Sequence, residues 1–151
     1  MNVVLGLIKK SIGDLAAGTI ALVQIDRKLV HGFTFTYDRG ELSVLVLEGP
    51  RAGETMYPDS DVAFVSPTEA SMHPSIDPSD LAMECPETKL PLYITPSGAT
   101  YFVVTQHGNR YGIALENGVF GPVRAHNALF VSKWEVRVDG EEIARLRSPS
   151  N

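Results

Sequence analysis

Four histidines and one cysteine, His31, His73, His107, His126 and Cys85, are the side chains with the widest chemical range in this chain. A zinc or nucleophilic site needs such groups within reach of one another. Motifs such as HExxH achieve this by setting two ligands one helical turn apart. Here the histidines are scattered with no ligand spacing. A metal-dependent or Cys/His hydrolase using His31, His107, His126 or Cys85 would therefore depend on the fold alone to gather them. Cys85 lies between Glu84 and Pro86 in an acidic stretch. Negative charge beside a thiol disfavours the thiolate, so the expectation is an inert cysteine. Asp59, Asp61, Asp77 and Asp80 do not follow the alternating pattern that wraps a calcium ion. No serine stands in a G-x-S-x-G turn, and Gly49–Gly53 (GPRAG) lacks the Lys and Ser/Thr of a phosphate-binding loop. The residues thus assign no catalytic group, no metal ligand and no cofactor.

Two patterns point to binding instead. Aromatic residues recur along the strand-like runs, among them Phe33, Phe35, Tyr37, Tyr101, Phe102 and Tyr111. They fill a core, or line the ligand cavity of a small barrel. Trp134 with Arg137 and Arg145 has the composition of an interface hot spot. Leu45 and Leu47 belong to a run that is apolar on both faces, which suits a sandwich interior or a subunit contact. These five residues are the interface expected from the sequence.

The elements that must position these groups centre on Thr19 to Gly49. Three runs rich in Val, Ile, Leu, Phe and Thr, at 20–25, 29–35 and 42–47, are separated by short polar breaks and read as a β-meander. Before it, Val4, Leu7, Ile8, Ile12 and Leu15 fall on one helical face, and Gly18 suits a helix C′ position. The spacing predicts a short helix over about 7–16. Gly49-Pro50-Arg51-Ala52-Gly53 forces a tight turn. Short strands follow over 54–57 and 61–66.

Residues 67–88 carry Pro67, Pro74, Pro78 and Pro86 among acidic groups, with one helical turn expected at 78–83 and Asp77 as its cap. This reads as an acidic linker or an arm towards a partner. Further strands are expected at 90–95, 100–106, 111–115 and 128–131. The end, WEVRVDGEEIARLR, reads as a hairpin on a two-residue Asp139-Gly140 turn. That register sets Val138 against Glu141, Arg137 against Glu142, Val136 against Ile143 and Trp134 against Arg145. Asp61–Ser66 (DVAFVS) echoes Asn127–Ser132 (NALFVS), as two related halves would.

Leu47–Gly53 (LEGPRAG) and Leu115–Phe120 (LENGVF) resemble pieces of forkhead-associated domains, which are β-sandwiches that bind phosphothreonine. The Gly-Arg and Ser-x-x-His residues that contact phosphate there have no counterpart in this chain. The resemblance implies neither membership nor phosphopeptide binding.

With 151 residues the chain is long enough for a real core, and its net charge of −5 argues against a general nucleic-acid binder. The lone cysteine excludes an internal disulfide. No run is long enough for a membrane-spanning helix, and Lys9 and Lys10 follow the first apolar patch, unlike a secretory signal. The expectation is an all-β, mainly antiparallel protein, a sandwich or one to two small barrels with a short N-terminal helix. Its parts are a helix and meander (1–66), the acidic loop (67–88) and C-terminal strands (89–151). Its expected role is a non-catalytic, self-associating subunit of a larger protein assembly, such as a virion or secretion apparatus, in the cytoplasm or within that assembly. A small-molecule-binding barrel is the alternative.

Overall fold

A computed structural model describes residues 7–37, 40–66, 70–123, 127–138 and 141–149, with the side chains of Val138 and 141–145 left aside. The chain is mostly antiparallel β-sheet. The first sheet holds β1 (Ile8–Ser11), β2 (Ile20–Ile25), β3 (Lys28–Thr36), β4 (Leu42–Val46), β5 (Thr55–Met56) and β6 (Val62–Val65). Its order is β1-β6-β2-β3-β4-β5. A third, three-stranded sheet begins with β7 (Ala70–Pro74). The second sheet contains β8 (Leu81–Ala82), β9 (Leu92–Ile94), β10 (Thr100–Gln106), β11 (Asn109–Ala114), β12 (Phe120–Pro122) and β13 (Leu129–Val131), in the order β12-β11-β10-β9-β13-β8. β14 (Trp134–Val138) and β15 (Glu141–Arg147) complete the third sheet as β15-β14-β7.

The meander folds as its alternation suggests. β2 and β3 pair from Ile20–Phe33 to Ile25–Lys28, leaving a two-residue turn at Asp26 and Arg27. Both have positive φ (50° and 66°), the geometry that suits strand twist in a tight hairpin. Ala21, Val23 and Ile25 point to one buried cluster with Val44, Val46 and Ala63. The main cluster joins Phe33, Phe35, Leu45 and Leu47 of the first sheet to Leu92, Phe102 and Ile113 of the second and Trp134, Val136 and Leu146 of the third. Residues from both halves of the chain thus share one apolar interior, and none of the three sheets closes on itself among the described residues.

Three local expectations are corrected. The predicted N-terminal helix is absent: Ile8–Ser11 is a strand paired with β6, followed by a 3-10 turn at Ile12–Asp14. Gly13 lowers helix propensity, and burial of Ile12 beneath the first sheet is satisfied without a helix. Within 67–88, Ala70–Pro74 pairs along β14 and Leu81–Ala82 along β13, so part of the acidic stretch is strand. In the last hairpin Val138 does face Glu141, but a bulge then sets Leu146, not Ile143, against Val136. Leu146 is buried there beside Val136, so core packing overrides the uninterrupted register. Trp134 accordingly bonds Ser148 through its backbone and does not face Arg145.

The first and second sheets meet where three backbone segments nearly touch. Gly18 N donates to Thr34 O at 2.7 Å, and Thr36 N donates to Gly118 O at 2.9 Å. The buried Thr34 hydroxyl donates to Ala16 O at 2.8 Å and accepts from Thr19 N at 2.9 Å. A Cβ on Gly118 would fall 2.6 Å from Gly18 N and 2.8 Å from Thr34 O, and φ there is +66°. Gly118→Ala is therefore expected to cost about 3 kcal/mol or more, from backbone strain plus overpacking. Thr34→Val keeps the shape but leaves Thr19 N without its acceptor, while Ala16 O keeps the Thr19 hydroxyl as donor, at a cost of about 1–3 kcal/mol. Urea unfolding midpoints check both; a Gly118→Ala protein as stable as the parent would contradict the close approach.

Candidate interaction surface

Most large apolar side chains are buried, which makes two exceptions on one segment informative. Ile76 is 90% exposed and Met83 68% exposed. Between them lies a short 3-10 turn, Pro78–Asp80, with Asp77 as the residue before it. Proline pre-sets the first turn and the Asp77 carboxylate accepts from Ser79 N at 3.0 Å and from the Ser79 hydroxyl at 2.9 Å. Those bonds, backbone first, hold the exposed Asp77 carboxyl below its ordinary range.

Asp80 anchors the turn from inside. Its carboxylate is only 14% exposed; it accepts from the Ser75 hydroxyl at 2.7 Å and lies 3.7 Å from Lys133 Nζ. Asp80 O accepts from Ser132 N at 2.9 Å, and Ser75 N donates to Lys133 O at 2.9 Å. The segment is bonded to the 132–133 connection on both sides of Ile76. A turn so fixed offers an apolar side chain with little entropy left to lose on contact.

The expected interface falls elsewhere. Leu45 and Leu47 are wholly buried in the main cluster, and Trp134 is buried with its indole Nε1 donating to Leu90 O at 2.8 Å. All three fill the interior and present nothing to a partner. Arg137 is at the surface, ion-paired with Glu135 two residues away. The side chain of Arg145 lies outside the described residues. Ile76 and Met83 were legible only as apolar letters in a polar stretch, a signal that cannot separate a buried plug from a displayed one.

Among the described residues, the chemistry-bearing side chains do not converge. His31 on β3 contacts Glu48, His73 on β7 accepts from or donates to Ser71, and His107 sits in the turn between β10 and β11. His126 lies outside the described residues. Asp59 accepts from Arg27 N and Asp61 from the Ser11 hydroxyl, so both work as structural acceptors. Among the described residues, no three His, Cys, Asp or Glu side chains are grouped to hold a metal. No helix there is long and apolar enough to cross a membrane.

Two clefts open on the second sheet. One, of about 400 Å³, is bordered by Glu54, Cys85, Thr88, Thr105 and Arg110. Burial pushes the Cys85 thiol up, and Arg110 pulls it back only in part. The other, of about 220 Å³, lies over Tyr93, Tyr101, Gly112 and Gly121 on the outer face.

Two outcomes are expected here. Asp80→Ala should speed hydrogen exchange of the Ser75 and Ser132 amides by about tenfold or more, as the turn loosens. Unchanged exchange would mean that the anchor is idle. Cys85 should react with iodoacetamide at neutral pH more slowly than a free thiol and should reach the free rate once urea unfolds the chain. Rapid alkylation of the folded protein would refute the protonated, half-buried thiol. No protein-family model, curated protein or solved structure matches this chain.

Proposed function

We propose that this protein is a non-catalytic interaction subunit that docks through the 75–84 segment, with Ile76 and Met83 as its apolar anchors and a second copy of the chain as the first partner. The supporting observation is the 90% exposure of Ile76 on a turn whose backbone is bonded to a neighbouring connection on both sides. A flexible loop would hide or average such a side chain; a held one keeps apolar area in water, at a cost that contact removes. Burying each anchor contributes up to about 1.5–3 kcal/mol. The polar surround of Asp77, Ser79 and Glu84 resembles the rim that keeps an anchor's neighbours solvated. Further association into a larger assembly needs a second contact surface, for which Leu29 and Tyr57, both exposed, are available.

Light scattering at two protein concentrations tests this. The parent chain should show a defined oligomer that dissociates on dilution. Ile76→Ser should weaken it by about tenfold or more, and Ile76→Ser with Met83→Ser should leave a folded monomer. A parent that is monomeric at both concentrations overturns self-association, and an oligomer untouched by the double substitution overturns this surface.

A further inference from the structure

The cleft of about 400 Å³ lies where the 85–91 segment passes the later half of β10, beside the turn at 49–54. Pairing of β9 with β10 reaches only to Leu92 and Phe102, and Pro91 O accepts one bond more, from Val103 N at 2.8 Å. Backbone groups of a strand point to the same side at every second residue, so the N–H and C=O of Thr105 point that way too. Among the described residues no backbone group answers them. A short length of strand edge is therefore open beside the cleft, and Thr105 is part of its lining.

Thr88 supplies a second observation of a different kind. It stands in the wall of the cleft, and its hydroxyl oxygen is buried. Among the described residues it is the one buried side-chain oxygen or nitrogen without a hydrogen-bond partner. Buried polar atoms are otherwise matched, so an unmatched one in a cleft wall marks a position that an occupant completes. Trp134 Nε1 donates to Leu90 O at 2.8 Å, which fixes the end of the segment and keeps the wall in place.

The charges of the lining select the occupant. Glu54 is ion-paired with Arg51 at 3.2 Å, and Glu87 and Lys89 each already hold a partner. Arg110 is opposite Thr105 in the strand register, so the two side chains share one face of the second sheet. It is exposed and makes no ion pair among the described residues. Its charge reaches the Cys85 thiol, another group of the lining. A guanidinium without a partner, a free backbone N–H and two threonine hydroxyls are all donors, and such a set receives an oxyanion. One uncommitted positive charge suits one negative charge; a dianion would meet Glu54 and Glu87 with nothing further to offset them. Pro86, Pro91 and Val103 offer an apolar wall to a hydrocarbon body, and the space equals about thirteen waters at ~30 Å³ each. We propose that this cleft is a binding site for a small organic monocarboxylate, with Arg110 and the Thr105 N–H on its oxygens, the Thr88 hydroxyl as a further donor, and its hydrocarbon part against Pro86, Pro91 and Val103. The site is separate from the 75–84 surface and does not depend on it.

Backbone amide NMR shifts of the intact chain, titrated with butyrate, hexanoate and benzoate, test the site. At least one acid should move the Thr88, Thr105 and Arg110 signals in a saturable way. The matching neutral amide should bind about tenfold more weakly or worse. Arg110→Gln should weaken the acid by about tenfold while distant signals stay in place. Thr88→Val separates a ligand donor from a structural one. Removing an unmatched hydroxyl should raise the urea midpoint of the ligand-free chain, yet weaken the acid about fivefold, the worth of one net hydrogen bond. No response to any of the three acids overturns the proposal, as does full affinity in Arg110→Gln or a Thr88→Val chain that is less stable without ligand. Equal binding of the neutral amide, or of inorganic phosphate, overturns the monocarboxylate assignment.

Discussion

The approach of Gly18, Thr34 and Gly118 is the constraint on which the other contacts depend. Backbone bonds there run between the 16–19 connection, β3 and the turn before β12, and the bond from Thr36 N to Gly118 O joins the first sheet to the second directly. A sheet presents its donors only along its edges, so two sheets packed face to face are usually held by side chains alone. Here a direct main-chain seam fixes their offset. Phe33 can then meet Phe102 edge to face at 5.2 Å, and Phe102 meets Trp134 at 5.5 Å. The aromatic chain through all three sheets is a consequence of the seam, since rings need their spacing set before their edges and faces can be matched.

Four of the acidic residues that give the chain its charge are structural acceptors. Asp59, Asp61, Asp77 and Asp80 each close a turn or tie two segments together. A carboxylate suits this work because it accepts several bonds and strengthens each with its charge. The segment between β7 and β8 depends on two of them for its shape, and displays Ile76 because that shape leaves no interior for the side chain to enter.

Fold class was readable because Val, Ile, Phe and Thr alternate over 20–47 and 100–114, and period-two alternation has few other meanings. The N-terminal segment misled for a physical reason. Leu7, Ile8, Ile12 and Leu15 fit a helical face, but four residues of pairing with β6 outweigh a weak, glycine-broken periodicity. The final register failed similarly: Asp139-Gly140 signals a turn, but no local signal encodes the bulge that lets Leu146 reach the core. Surface function was harder still. Leu45, Leu47 and Trp134 look like interface residues in the sequence because a buried strand and a docking strand share one composition; only exposure separates them.

The outermost strands of the sheets have a further meaning. β5 and β8 contain two residues each, β12 ends in Pro122, and β1 presents exposed Lys9 and Lys10. Short runs, proline and lysine are the devices that keep open sheets from zipping to their neighbours. The first two sheets, unclosed among the described residues, are thereby guarded against edge-to-edge growth. Where an edge is guarded in this way, union with other molecules falls to side-chain surfaces, which can be made and broken one at a time.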